Sequence, residues 1–240
     1  MPQTAPYLNA AKRFYSGVSV AAKDGNFAVL LDGRNPRSPK GAPLALPAEA
    51  LAQAVAAEWE AQGEHVEFVS MPATRLAHTA LDAVAASRAD MAAEVARWAG
   101  SDLVCYFAEG PTSLVARQEA LWAPLLEWAR VDLGLVFERA AGIVHREQPR
   151  ATLAGVEALA AGLDDFALAG LAFGTALFGS AIIALALMKG RLTGEQAFEA
   201  ARLDEAFQEE RWGVDAETIE RTEALAADAA MLEAWFKALR

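Results

Sequence analysis

The side chains of this sequence with the greatest catalytic potential are one cysteine, Cys105, and three histidines, His65, His78 and His145. A thiolate paired with an imidazole is a common nucleophilic arrangement. Cys105, however, lies in the apolar stretch DLVCYF, which is typical of an inert buried thiol. The four residues also lack the short spacings of metal ligands. We therefore expect no catalytic residue and no metal site. A Cys–His enzyme of unknown substrate is the alternative.

Three further patterns imitate functional motifs. His78 and Asp82 are four residues apart, a spacing that could orient an imidazole for base catalysis but is more often a surface pair. Residues 174–180 (GTALFGS) have the glycine spacing of a phosphate-binding loop but lack its lysine. Residues 204–215 have the length of a calcium-binding loop without its alternating ligands or central glycine. The sequence therefore predicts no cofactor.

The segment ARLDEAFQEERWGVD, residues 201–215, favours protein binding instead. Every fourth residue from Leu203 to Arg211 falls on one helix face. The polar residues off that face are Asp204, Glu205, Gln208 and Glu209. Trp212 follows them at the end of the helix and has two interpretations. It is either a staple between the last two helices or an exposed anchor beside carboxylates, as protein interfaces favour.

Composition places these residues in a folded protein. The chain has 240 residues, of which 54% are hydrophobic, enough for one large or two small domains. A single cysteine excludes an internal disulfide and suits a reducing compartment. The first twenty residues show no secretory signal. We expect a bacterial cytoplasmic protein, or a mitochondrial matrix protein if the chain is organellar.

The net charge of −11 is unevenly distributed. Residues 1–47 contain six basic and two acidic residues, whereas residues 204–240 contain ten acidic and four basic ones. Phosphate binding requires a basic field, so we expect no nucleic-acid partner.

Turn signals and hydrophobic periodicity predict an α+β part followed by a helical part. Asp24-Gly25 predicts a β-hairpin over residues 16–31, a helix is predicted over 47–62, and the alternating HVEFV of 65–69 predicts another strand. One long or broken helix is predicted over residues 74–99, and further helices over 111–134, 151–162, 193–211 and 215–239. Thr193, with Gln196 three residues later, predicts a capping box at the start of the helix over 193–211. The expected architecture is a small N-terminal α+β domain with antiparallel strands (1–75) and a larger all-α domain (76–240).

Residues 166–188 form an apolar run of 23 residues without a charge, long enough to span a bilayer. Its many alanines and glycines make it less apolar than a run of leucines of that length, and Gly179-Ser180 can interrupt a helix. We therefore favour one or two buried helices and expect no membrane insertion. A protein with a single membrane span is the alternative.

Seven sequence blocks, together with Gln118, carry a resemblance to a known family. They are KRFY (12–15), LDGR (31–34), EWEAQ (58–62), MPATRLAHTALD (71–82), DLVCY (102–106), WAPLLEW (122–128) and RLDEAFQEERWG (202–213). In this order, over nearly the full length, they resemble the assembly chaperones of F-type ATP synthase that act on the alpha subunit of its catalytic head.

The resemblance implies transient binding of the unassembled alpha subunit, which prevents its aggregation. We expect a monomer without cofactor or metal. It places a functionally important acidic position on Asp204 or Glu205, and the tryptophan of EWEAQ on Trp59. The partner-binding residues expected from these blocks and from the acidic helix are Asp204, Glu205, Gln208, Trp212 and Trp59.

Overall fold

In the computed structural model, which describes residues 11–142 and 144–240, the first element is a β-hairpin of β1 (Val18–Lys23) and β2 (Asn26–Leu31). Asp24 and Gly25 both have positive φ angles, which the tight turn requires, so the predicted hairpin is confirmed. β3 (Ala45–Leu46) pairs antiparallel with the other edge of β2. The helix α1 (Glu49–Glu60) packs on this sheet and buries Leu51, Val55 and Trp59.

The strand predicted over residues 65–69 is wrong. His65 forms only an isolated bridge with Lys12, and a short 3-10 helix, Phe68–Ser70, follows. The Gln62 side chain explains the difference, because its Oε1 atom accepts a hydrogen bond of 2.7 Å from the Glu67 amide and holds the chain in a turn.

The chain divides into two compact units, the first ending at Asp82 and the larger second one beginning at Ala83. The helix α2 (Pro72–Thr79) is followed by a π-helical turn, Ala80–Val84, at this division. The first ten residues of the predicted N-terminal domain lie outside the described residues, and the domain division after residue 75 remains a prediction. The α+β class is confirmed.

Helices dominate the second unit. They are α3 (Ala85–Ala99), α4 (Thr112–Leu121), α5 (Ala123–Asp132), α6 (Arg150–Ala161), α7 (Asp165–Phe178), α8 (Ala181–Met188), α9 (Gly194–Ala201), α10 (Leu203–Trp212) and α11 (Ala216–Leu239). Two short parallel strands, β4 (Tyr106–Phe107) and β5 (Ala140–Ala141), join them. The Thr193–Gln196 capping box that starts α9 is present.

The helix predicted over residues 74–99 is broken by the π-helical turn between α2 and α3, and two other predicted long helices are each split in two. α4 and α5 meet at Trp122, because Pro124 in the first turn of α5 has no amide hydrogen with which to continue the helix. α9 and α10 meet at Arg202, whose backbone is not helical (φ −107°, ψ 15°).

The apolar run consists of two helices, α7 with one buried face and α8 buried throughout. Gly179 ends α7 with a left-handed backbone (φ 62°), and the Ser180 side chain caps α8. Every residue of α8 is buried. Among the described residues, no helix is both long enough and apolar enough to cross a membrane.

Candidate partner-binding surface

The candidate nucleophile is not accessible in the folded protein. Cys105 is fully buried, and burial together with the neighbouring Asp102 carboxylate raises the pKa of its thiol. A thiol with a raised pKa carries almost no thiolate at neutral pH, so Cys105 is a poor nucleophile. The described residues contain no group of three side chains suited to bind a metal ion.

His78 and Asp82 interact electrostatically, but the Asp82 carboxylate has its hydrogen-bond partners elsewhere. Asp82 accepts hydrogen bonds from the Ser38 hydroxyl and, at 2.9 Å, from the Lys40 amide. His78 is half-buried near the Phe68 ring, and burial lowers the pKa of its imidazole against the raising effect of the Asp82 carboxylate. The Asp82 carboxylate thus holds the loop around residue 40.

α10 is held in place by one buried face. Leu203 and Phe207 are buried, and two guanidinium groups lie over the Phe207 ring: that of Arg211 at 4.0 Å and that of Arg117 at 5.2 Å from its centroid. Arg117, on α4, also forms two hydrogen bonds of 2.7 and 2.9 Å with the Glu210 carboxylate. This paired geometry fixes α10 against α4.

Asp204 takes part in the same packing. Its Oδ1 atom accepts a hydrogen bond of 2.7 Å from Nε2 of Gln118, whose side chain is fully buried, and Oε1 of Gln118 accepts one of 2.8 Å from the Ala108 amide. Burial, and to a lesser degree the charge of Glu205, raise the pKa of Asp204 against the lowering effect of the Gln118 bond. Asp204 is therefore half-buried and directed towards α4.

The side chains of Glu205, Gln208 and Trp212 lie on the opposite, exposed side of α10. They recur at steps of three and four residues and form one row, here named the α10 stripe. Trp212 is 78% exposed, so its interpretation as a staple between helices is wrong. It lies five residues after Phe207, which places it about 140° around the helix from the buried face.

Trp59 lies in the core of the first unit and is not itself exposed. Its side chain is only 4% exposed and makes edge-on contacts with Tyr15 and Phe68, at centroid distances of 5.7 and 5.8 Å. Beside it in the EWEAQ block, the Glu58 carboxylate caps α2 by accepting bonds of 2.7 Å from the Ala73 and Thr74 amides. The block therefore joins α1 to α2.

Sequence reasoning overlooked two exposed apolar residues beyond the α10 stripe. Val214 is 44% and Ile219 is 47% exposed, and both follow Trp212 closely in the chain. The available signal was an isoleucine among acidic residues at the start of the last helix.

A protein-family model described as ATP12 chaperone protein matches residues 12–130. The chain resembles the crystal structure of Atp12 from Paracoccus denitrificans with 37% identity and a TM-score of 0.87, covering 96% of this chain and 99% of that one. A structure of a candidate chaperone from Agrobacterium tumefaciens has 41% identity and a TM-score of 0.88, with 95% and 86% covered.

A curated relative, the mitochondrial protein atp12 of Schizosaccharomyces pombe, is 26% identical over 214 residues, which are 84% of this chain and 74% of the relative. Fold and comparisons together define a molecular chaperone. More particularly, the chain belongs to the ATP12 chaperone family. The resemblance to the assembly chaperones of F-type ATP synthase is thereby confirmed.

Proposed function

We propose that this chaperone binds the unassembled alpha subunit of the F-type ATP synthase catalytic head and prevents its aggregation until assembly. The observation that carries the proposal is the α10 stripe, in which a 78% exposed indole and a carboxylate share one helix face. An exposed tryptophan is costly in water and is the residue most enriched at the centres of protein interfaces.

The expected site residues take two roles in this proposal. Glu205, Gln208 and Trp212 contact the partner directly. Asp204 is a positioning residue, because its bond to Gln118 sets the rotation of α10 and thereby the direction of the stripe. Trp59 is buried in the first unit and supports Phe68, which is 44% exposed, rather than contacting the partner.

The proposed activity uses binding alone. It requires no catalysis, nucleotide or metal, and the protein acts as a monomer in the bacterial cytoplasm, or in the mitochondrial matrix if the chain is organellar. The buried Cys105 thiol with its raised pKa supports this proposal, because a nucleophilic enzyme requires an accessible thiolate.

The test is co-expression of this chain with the alpha subunit of its host's ATP synthase, followed by size-exclusion chromatography of the soluble fraction. Co-expression with the beta subunit is the control. We expect a one-to-one complex with the alpha subunit alone, and more soluble alpha subunit than without this chain. Absence of a complex, with the alpha subunit still aggregated, would overturn the proposal.

Two substitutions test the α10 stripe. Trp212→Ala and Glu205→Lys should each weaken the complex by about tenfold or more without lowering the melting temperature, because both side chains are exposed. Matched controls are Val131→Ala on α5, where the side chain is 62% exposed, and Glu157→Lys at an exposed position of α6. If test and control variants bind equally well, the stripe is not the binding surface.

A further inference from the structure

The first half of α11 is unusually exposed to solvent for a helix in a folded unit. Every residue from 213 to 228 is exposed or half-exposed, and burial begins only at Ala229. At 1.5 Å per residue, the thirteen residues from 216 to 228 make roughly 20 Å of helix. The second half, in contrast, buries Leu232, Trp235 and Phe236 in the core of its unit.

One uncharged face of α11 extends from the buried half into the exposed half. Steps of three or four residues lead from Leu232 and Ala229 back through Leu225 and Thr222 to Ile219, which lies about 120° around the helix from Leu225. Leu225 is half-exposed, Ile219 is 47% exposed, and Val214 just before the helix is 44% exposed. We name residues 214–226 the α11 arm. Its apolar side chains follow directly on Trp212 and offer a surface that another helix can cover.

The α11 arm is also acidic. It contains four carboxylates, those of Asp215, Glu217, Glu220 and Glu223, against the single guanidinium of Arg221. Asp215 caps the helix by accepting a bond of 2.8 Å from the Thr218 amide, whereas Glu217 and Glu220 project from exposed positions. Such a field repels acidic surfaces and attracts basic ones.

We propose that the α11 arm is a docking surface for a basic, amphipathic helix of the partner protein. The apolar residues of that helix would pack on Ile219 and Leu225, in the way that amphipathic helices bind apolar faces. Its lysines or arginines would pair with Glu220 and Glu223, two exposed carboxylates that flank Ile219 on one side of the helix. The inference rests on the proposed function in one respect: the partner is the same protein that the α10 stripe binds.

The first test uses a labelled synthetic peptide of about eighteen residues, with leucine at helical spacing and lysine elsewhere. A peptide with glutamate in place of lysine is the comparison. Fluorescence anisotropy should detect binding of the lysine peptide only, and hydrogen exchange should show protection of residues 216–226. Absence of binding, or protection confined to another segment, would overturn the inference.

Variants then separate the two parts of the surface. Ile219→Ser with Leu225→Ser, and Glu220→Lys with Glu223→Lys, should each weaken binding of the lysine peptide by about tenfold or more. The controls Val131→Ser and Glu157→Lys should stay within about twofold. Each variant is used only if its melting temperature equals that of wild type. If the double serine variant melts lower, Ile219→Ser alone replaces it. Equal binding by test and control variants contradicts the inference.

The last test uses the alpha subunit itself and distinguishes the two proposals. If wild type forms the complex and both arm variants form it equally well, the α11 arm is not a docking surface, although the proposed function stands. If wild type forms no complex, the proposed function fails. The peptide result then decides the inference by itself.

Discussion

At the scale of single residues, the adjacent carboxylates Asp204 and Glu205 have opposite surroundings. Asp204 accepts the bond from buried Gln118, whereas Glu205 is exposed. Asp204→Ala should lower the free energy of unfolding by about 1–3 kcal/mol, because it leaves the Gln118 amide without its acceptor. Glu205→Ala should change it by less than about 0.5 kcal/mol. Denaturant unfolding measures both values, and equal losses would contradict the assignment.

Asp102 should make stability depend on pH. Its fully buried carboxylate accepts bonds from Ser180 and Ile182, yet burial raises its pKa from 3.8 to about 6. The unfolded chain therefore releases this proton near pH 3.8 and the folded chain near pH 6. Between these values the folded state binds more protons, so the contribution of Asp102 to stability falls as pH rises and is constant above about pH 7.

The measurement compares wild type with Asp102→Asn, whose side chain cannot ionise. Between pH 4 and pH 7, wild type should lose up to about 3 kcal/mol of unfolding free energy relative to Asp102→Asn. All other titrating groups are shared by the two proteins and cancel. A difference that does not change with pH would show that Asp102 ionises normally.

At the scale of the elements, the start of α9 lies directly on α11. A Cβ atom added to Gly194 would come within 2.6 Å of the Ala229 carbonyl oxygen, a backbone atom that cannot easily move. The Gly194 amide also donates a bond of 2.6 Å to the Glu233 carboxylate. Gly194→Ala should therefore destabilise the protein by about 1–3 kcal/mol.

The matched control for that substitution is Gly63→Ala. An added Cβ atom there would meet no other atom within 4 Å, and the backbone has no positive φ angle. Alanine at such a position should be neutral or slightly stabilising. Thermal unfolding of the two variants tests the contact between α9 and α11, and a similar melting temperature for both would contradict it.

The elements also show which parts of the fold were predictable. The Asp24-Gly25 turn and the Thr193 capping box were predicted because their causes lie within a few residues. The turn that replaces the strand at 65–69 was missed, since it depends on the Gln62 side chain. The inward direction of Asp204 was equally hidden, because its partner Gln118 is 86 residues away in the chain. The resemblance placed the important acidic position on Asp204 or Glu205, but the sequence did not show which of the two side chains is exposed.

At the scale of the whole molecule, negative charge and exposed apolar side chains occur in the same segment of the chain. The ten acidic residues of 204–240 fall in the segment that contains Trp212, Val214 and Ile219, whereas residues 1–47 have a basic excess. A negative field around an apolar centre accelerates encounter with a basic partner and adds less to final affinity than the buried contacts do. The two contributions can therefore be separated kinetically.

Salt should act on the charged contribution and leave the apolar one nearly unchanged. If the alpha subunit binds as proposed, its association rate with wild type should fall at least about tenfold between low salt and about 0.5 M salt, while the dissociation rate changes little. Glu205→Lys should lower the association rate and reduce its salt dependence, because it removes part of the attracting field. Trp212→Ala should instead raise the dissociation rate and leave the salt dependence as in wild type, because the indole contributes buried contact without charge. Stopped-flow or surface-based kinetics at several salt concentrations provide both rates. If the association rate does not respond to salt, the acidic surface does not guide the encounter, and the proposed partner must be recognised by apolar contact alone.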